Sequence, residues 1–306
     1  MQGTWNNKKV VLPDFIIPGA AKSGTTTLYR ILQQHPDIFV PNRSKETYFF
    51  SYFDRDLPYE KEFVSQAVLN PIEYLSLFEK GRSASTIGEA SIGYLYDHEA
   101  CIKNMKRFYG DKLSNVKIVM ILRNPVDRAF SHYNFLIRNG FEDLSFEMAI
   151  SEKVVLKRKN IRPGFDYLNY GMYYEKVKAF KENFSECKVF LFEDLANYSK
   201  LTEELFSFLK VKRHSVQKDI KANPSGVPKS EWIVRLLRKN SFLKALYRMF
   251  PEKMQNKMLT TRDNLMSSFL KKTKLSEELR ERVKPLFAED IQKLEILIER
   301  DLSHWK

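Results

Sequence analysis

A chain of 306 residues with a net charge of +13 and 43% hydrophobic residues is long enough to bury a sizeable core, as one large domain or two small ones. Its two cysteines, Cys101 and Cys187, exclude a disulfide framework and show no metal-ligand spacing, which suits a reducing compartment. No apolar run reaches about 18 residues and the stretch from Met1 to Lys9 is polar, so neither a spanning helix nor a secretory leader is expected, and a cytoplasmic location is.

Residues 1–12 read as an N-terminal extension. Residues 14–18 (DFIIP) make a brief buried strand, followed by a helix over 25–34 with Leu28, Ile31 and Leu32 on one side. Residues 116–122 (VKIVMIL) form the clearest central strand and run straight into a helix over 125–138. Tyr173 and Tyr174 open a further helix and are expected in the core. Residues 188–192 (KVFLF) give a third strand, and a helix over 196–209 follows. Residues 240–273 lack strand signals and read as a basic helical insertion. Between Lys229 and Lys274 stand twelve Lys and Arg against three Asp and Glu, which is either a solvated helical face or a surface for a polyanion or a peripheral membrane contact. The last helix is expected over 276–299. Strands and helices alternating in this order predict an α/β fold, a P-loop-type parallel sheet flanked by helices, as a single domain over residues 1–306.

The segment Gly19-Ala20-Ala21-Lys22-Ser23-Gly24-Thr25-Thr26-Thr27 lies between the first strand and its helix. Free backbone N–H groups and the helix dipole make that junction an anion site. Gly19 and Gly24 allow close approach, and Ser23, Thr25, Thr26 and Thr27 add hydroxyls. The pattern departs from G-x-x-x-x-G-K-[ST]: Thr25 stands where the lysine should be, and Lys22 lies inside the turn. The partner strand ends in Arg123 where an ATPase would carry an Asp for Mg²⁺. An arginine there binds an anion, so a metal-free site with phosphates at two ends is expected.

With Arg123-Asn124-Pro125-Val126-Asp127-Arg128-Ala129-Phe130-Ser131, this loop resembles the sulfotransferases that use 3′-phosphoadenylyl sulfate, more closely the heparan-sulfate sulfotransferase-like branch and its bacterial relatives. Lys45-Glu46-Thr47-Tyr48-Phe49-Phe50 resembles that branch's K-E-x-x-F-F motif. Gly88-Glu89-Ala90-Ser91, Gly171-Met172-Tyr173 and the ending Asp301-Leu302-Ser303-His304-Trp305 extend the likeness over nearly the whole chain. The resemblance implies that Lys22 and its loop hold the 5′-phosphosulfate, that Arg123 and Ser131 hold the 3′-phosphate, and that adenosine 3′,5′-bisphosphate is the product. By a looser match, Lys229 in the segment 223–230 also contacts the nucleotide. Tyr48, Ser51 and Ala90 depart from the branch at acceptor-side positions where it has His, an acidic residue and Lys, which argues against a heparan-like acceptor.

Sulfuryl transfer is expected to run in line, by positioning and charge stabilisation. Lys22 would stabilise the leaving group, and Glu46 would be the general base, with Phe49 and Phe50 as apolar neighbours that raise its pKa. His132 is a second candidate base, set aside because an adjacent helical residue points about 100° away from Ser131. Arg128 is expected to pair on the surface. The acceptor is expected to be a hydroxyl or amine of a carbohydrate or glycoconjugate, with a lipid or small hydroxylated metabolite as the alternative. A P-loop kinase is disfavoured by Thr25 and Arg123, a non-catalytic polyanion binder by the retained Lys22 and Glu46, and nucleic acid by the lack of any base-readout motif.

Overall fold

The computed structural model describes residues 1–5, 8–42, 46–57, 59–65, 67–217, 227–228, 270–271 and 273–306. Its centre is a five-stranded, all-parallel sheet. Strand β3 (Phe15–Gly19) is its middle strand, β4 (Ile38–Phe39) one edge, β5 (Thr86–Ala90) and β6 (Lys117–Leu122) flank β3, and β7 (Glu186–Leu191) is the other edge. The order is therefore β4-β5-β3-β6-β7. Both faces are covered, so β3 and β6 read as near-continuous apolar runs with every residue buried. Two buried clusters divide across the sheet: one around Ile16, Ile118 and Phe287, the other around Phe15, Ile121, Leu205 and the apolar side of helix Thr25–Gln33. Gly88 on β5 marks their tightest point, since a Cβ there would fall 1.9 Å from the Phe15 ring.

The helices after β3, β6 and β7 fall close to the expected ranges, at Thr25–Gln33, Pro125–Arg138 and Tyr198–Phe208. The structure adds to or departs from the expected elements at four points. Within 1–12, β1 (Gln2–Trp5) pairs antiparallel with β2 (Lys8–Val11), and Trp5 packs on Phe108. Strands β4 and β5 went unrecognised. The last helix is two, Glu277–Val283 and Ala288–Ile298, joined by a 3₁₀ turn over Lys284–Phe287 where Pro285 cannot continue the α-helical hydrogen bonding. The stretch 240–273 contains strand β9 (Leu270–Lys271), antiparallel to β8 (Val227–Pro228), a pairing so short that no propensity signals it. The remainder of 240–273, Lys229 and residues 223–226 lie outside the described residues.

Candidate active site

The C-terminal ends of β3, β5 and β6 open on one cavity of about 890 Å³. In an open parallel sheet this is where the strand order leaves room for a ligand. The loop after β3 forms one wall. Ala20 N–H donates to Ile121 O across the sheet at 2.8 Å, anchoring the turn. Gly24 then takes φ +100°, a backbone that L side chains rarely adopt, and a Cβ there would strike Leu195 at 2.8 Å. Helix Thr25–Gln33 starts with no side-chain cap and no acidic residue in its first turn, so its positive end faces the cavity unopposed. Ala21, Lys22, Gly24, Thr25, Thr26 and Thr27 line the cavity. Ser23, expected among the ligand-binding residues, does not: it is fully buried, and its N–H donates to Ala20 O at 3.3 Å.

The second wall comes from the turn after β6. The Asn124 side chain accepts from the N–H groups of Val126 (3.0 Å) and Asp127 (3.3 Å), and Pro125 occupies the first turn of the helix, a strong start signal. Asn124 also donates to Trp305 O at 3.3 Å, which places the terminal Leu302–Trp305 motif behind the turn. Arg123 lies over the Phe192 ring at 4.5 Å and donates to Lys22 O at 3.3 Å, tying the two walls together. Burial lowers its pKa from the usual guanidinium range, and it remains a cation. Tyr173, buried as expected, donates its hydroxyl to Arg123 O at 3.0 Å. Asp290 accepts the N–H groups of Tyr173 (2.7 Å) and Tyr174 (3.0 Å), so the last helix supports this wall. Ser131, two turns into its helix, lines the same cavity as Arg123.

Glu46 lines the same cavity, and its Oε2 accepts from Ile92 N–H at 2.7 Å. Phe49 and Phe50 are not its neighbours. Helix Phe49–Tyr52 turns both rings inward, where Phe49 stacks on Tyr74 at 4.0 Å. The apolar surfaces near Glu46 in the cavity are those of Tyr48, Phe63 and Ile92. Of the three positions that depart from the heparan branch, only Tyr48 reaches the cavity; Ser51 and Ala90 are fully buried elsewhere.

Sequence reasoning missed the device that holds the Glu46 segment. Glu89 on β5 is fully buried; its carboxylate accepts from the hydroxyls of Thr47, Tyr74, Tyr94 and Ser91. Burial raises its pKa and the four hydroxyl donors oppose the rise. Ser91 Oγ in turn accepts the N–H groups of Thr47 (2.8 Å) and Tyr48 (3.1 Å), fixing a turn in which Tyr48 is left-handed at φ +54°. The Gly-Glu-Ala-Ser string was the one visible signal, and it reads as a motif without revealing its burial.

One further expectation is overturned, and so is the reason given for another. Arg128 is not a surface residue: it is fully buried, donates to Tyr167 O and lies against Tyr170. The ring packing of Tyr167 and Tyr170 encloses it, so its pairing is with carbonyl and imidazole rather than carboxylate. His132 lines the same cavity as Ser131, because the chain around 164–170 closes over the helix and the cavity wraps two of its faces. Among the described residues no group of three or more His, Cys, Asp and Glu could hold a metal ion, and no helix is long and apolar enough to cross a membrane.

The family model of the sulfotransferase domain matches residues 12–295. A crystal structure of a sulfotransferase from Alicyclobacillus acidocaldarius superposes with a TM-score of 0.69 at 30% identity, covering 97% of this chain and 99% of that one. Among curated proteins, the membrane-associated sulfotransferase kil1 of Dictyostelium discoideum is 34% identical over 153 residues, 48% of this chain and 29% of its own length. The human bifunctional heparan sulfate N-deacetylase/N-sulfotransferase 3 is 30% identical over 137 residues, 42% of this chain and 14% of its own length. The matches thus span less than a third of these two curated relatives.

Proposed function

The chain belongs to the sulfotransferase family, and on that premise we propose that its cavity moves a sulfuryl group from 3′-phosphoadenylyl sulfate to a hydroxyl or amine of a carbohydrate or glycoconjugate. One observation carries the reading: the Lys22 loop, the Arg123–Ser131 wall and Glu46 line a single cavity. The donor, when bound, supplies an activated sulfuryl group whose leaving group is a nucleotide phosphate.

The residues divide the work by charge and position. The loop amides, the helix terminus and the hydroxyls of Thr25, Thr26 and Thr27 hold the 5′-phosphosulfate. Lys22 stabilises the negative charge that grows on the bridging oxygen as its bond to sulfur breaks. Arg123 and Ser131 grip the 3′-phosphate, with the guanidinium fork supplying the paired donors. Ser23 supports the turn from beneath through its N–H bond to Ala20 O. Glu46 takes the proton of the attacking group, and Ile92 N–H holds its carboxylate in place. Positioning supplies the rest of the acceleration. The relation to a heparan N-sulfotransferase supports a carbohydrate acceptor. The apolar lining by Phe63, Leu136 and Phe141 favours as a second reading a lipid or small hydroxylated metabolite. Lys229, as a nucleotide contact, stays part of the proposal.

A thermal-shift titration separates this from a kinase. Adenosine 3′,5′-bisphosphate at 100 times its Kd should stabilise the protein by about 2.7 kcal/mol, with Mg-ATP giving no comparable shift. Stabilisation by Mg-ATP alone would reverse the assignment.

A further inference from the structure

His132 has a bonding pattern that no role assigned so far uses. The residue is 7% exposed, and Nδ1 lies 3.3 Å from Nη1 of Arg128. A guanidinium has only donors and keeps its charge in a protein. The lone pair in that contact therefore belongs to Nδ1, and a neutral ring then carries its hydrogen on Nε2. Among the described residues no group hydrogen-bonds Nε2, and the ring lines the transfer cavity. Gly164 keeps the approach open, since a Cβ at that position would sit 3.3 Å from Nε2. The edges of Tyr167 and Tyr170 fix the ring at interplanar angles of 83° and 80°.

The groups facing the imidazole all favour its neutral form. Burial comes first, then the cations Arg128 and Lys22, and together they hold its pKa well below the usual histidine range. No carboxylate is in hydrogen-bonding contact with the ring among the described residues. A base must offer a lone pair to the acceptor's proton, and the lone pair here points at Arg128, away from the cavity.

We propose that His132 is a catalytic hydrogen-bond donor, its Nε2–H binding an oxygen of the migrating sulfuryl group, with Arg128 as the positioning residue that sets the tautomer. The inference rests on the sulfuryl-transfer reading above. In the step, the acceptor oxygen or nitrogen forms its bond to sulfur while the bond from sulfur to the bridging phosphate oxygen breaks. The acceptor's proton goes to Glu46, and His132 exchanges none. A neutral donor stabilises the equatorial oxygens without adding a charge that would tighten the hold on the bisphosphate product.

Two measurements test it on the full chain. Two-bond ¹H–¹⁵N correlation of ¹⁵N-histidine protein, with His132→Gln assigning the signal, should show the Nε2–H tautomer unchanged from pH 5.5 to 8.5. In steady-state transfer, His132→Ala should lower kcat on the order of a hundredfold, as loss of one such donor does, with KM for the donor nearly constant and the acid limb of the pH profile unmoved. His132→Gln, whose amide reaches the Nε2 position, should recover part of that loss, and His132→Asn, which reaches only Nδ1, should not. An Nδ1–H tautomer, titration between pH 6 and 8, or loss of the acid limb in His132→Ala overturns the proposal in favour of a base. A wild-type chain that binds adenosine 3′,5′-bisphosphate but moves no sulfuryl group overturns the functional reading and this role with it. A chain that transfers normally with His132→Ala overturns this role alone.

Discussion

Single residues decide the chemistry, and their burial was the hardest thing to foresee. Lys22 and Arg123 stood out because their strings suit an anion, Glu46 and Ser131 only through the family resemblance, and one cavity gathers all four. Arg128 and His132 were misjudged for one reason: position along a helix does not tell which later segment will close over it, and here 164–170 does. Glu89 is the same problem in reverse, a charge that burial and hydroxyl donors hide. A largely buried carboxyl also leaves a signature in stability. Asp97 has its pKa pushed up to about 6, first by burial, against the weaker pull of Arg55. Because its folded value lies above its unfolded one, its contribution to stability is complete in acid and lost as pH rises through about 6. Asp97→Asn, which mimics the protonated form, should therefore match the wild type near pH 4 and exceed its Tm increasingly toward pH 7. A Tm difference that shrinks with rising pH would contradict this.

Among the elements, β6 and the helix Pro125–Arg138 could be read from sequence because a nearly continuous apolar run followed by Arg-Asn-Pro leaves little else to fold. Strand β5 could not, since Thr-Ile-Gly-Glu-Ala has a glycine and a carboxylate at its centre and neither favours a strand alone. Its strand character comes from pairing with β3 and from Phe15 filling the space over Gly88. That strand matters because its end carries Ser91, the acceptor for Thr47 and Tyr48. Ser91→Ala should leave these buried amides unsatisfied and cost about 1–3 kcal/mol. It should also lower kcat while the affinity for adenosine 3′,5′-bisphosphate stays within about twofold, because only the Glu46 side of the cavity moves. Calorimetric binding of the bisphosphate beside turnover checks this, and equal loss in both would show that β5 supports the whole site rather than the base.

At the scale of the molecule, one parallel sheet carries the phosphate loop, the Arg123 turn and the Glu46 clamp on neighbouring strands, so the site is a property of strand order. The domain class was legible from alternation alone. The acceptor was not, because the rest of the cavity lining, Tyr48, Phe63, Phe141 and Arg162 among it, is drawn from distant parts of the chain with no common motif. The central claim is that this cavity transfers a sulfuryl group with Glu46 as base and Lys22 on the leaving group. It is tested most directly by following radiolabelled sulfuryl from 3′-phosphoadenylyl sulfate to an acceptor panel, comparing the wild type with Lys22→Ala and Glu46→Gln. The account predicts transfer by the wild type, undiminished by a metal chelator, with kcat down on the order of 10²–10³-fold in Lys22→Ala and roughly 10²–10⁴-fold in Glu46→Gln. Undiminished transfer by either variant would contradict it.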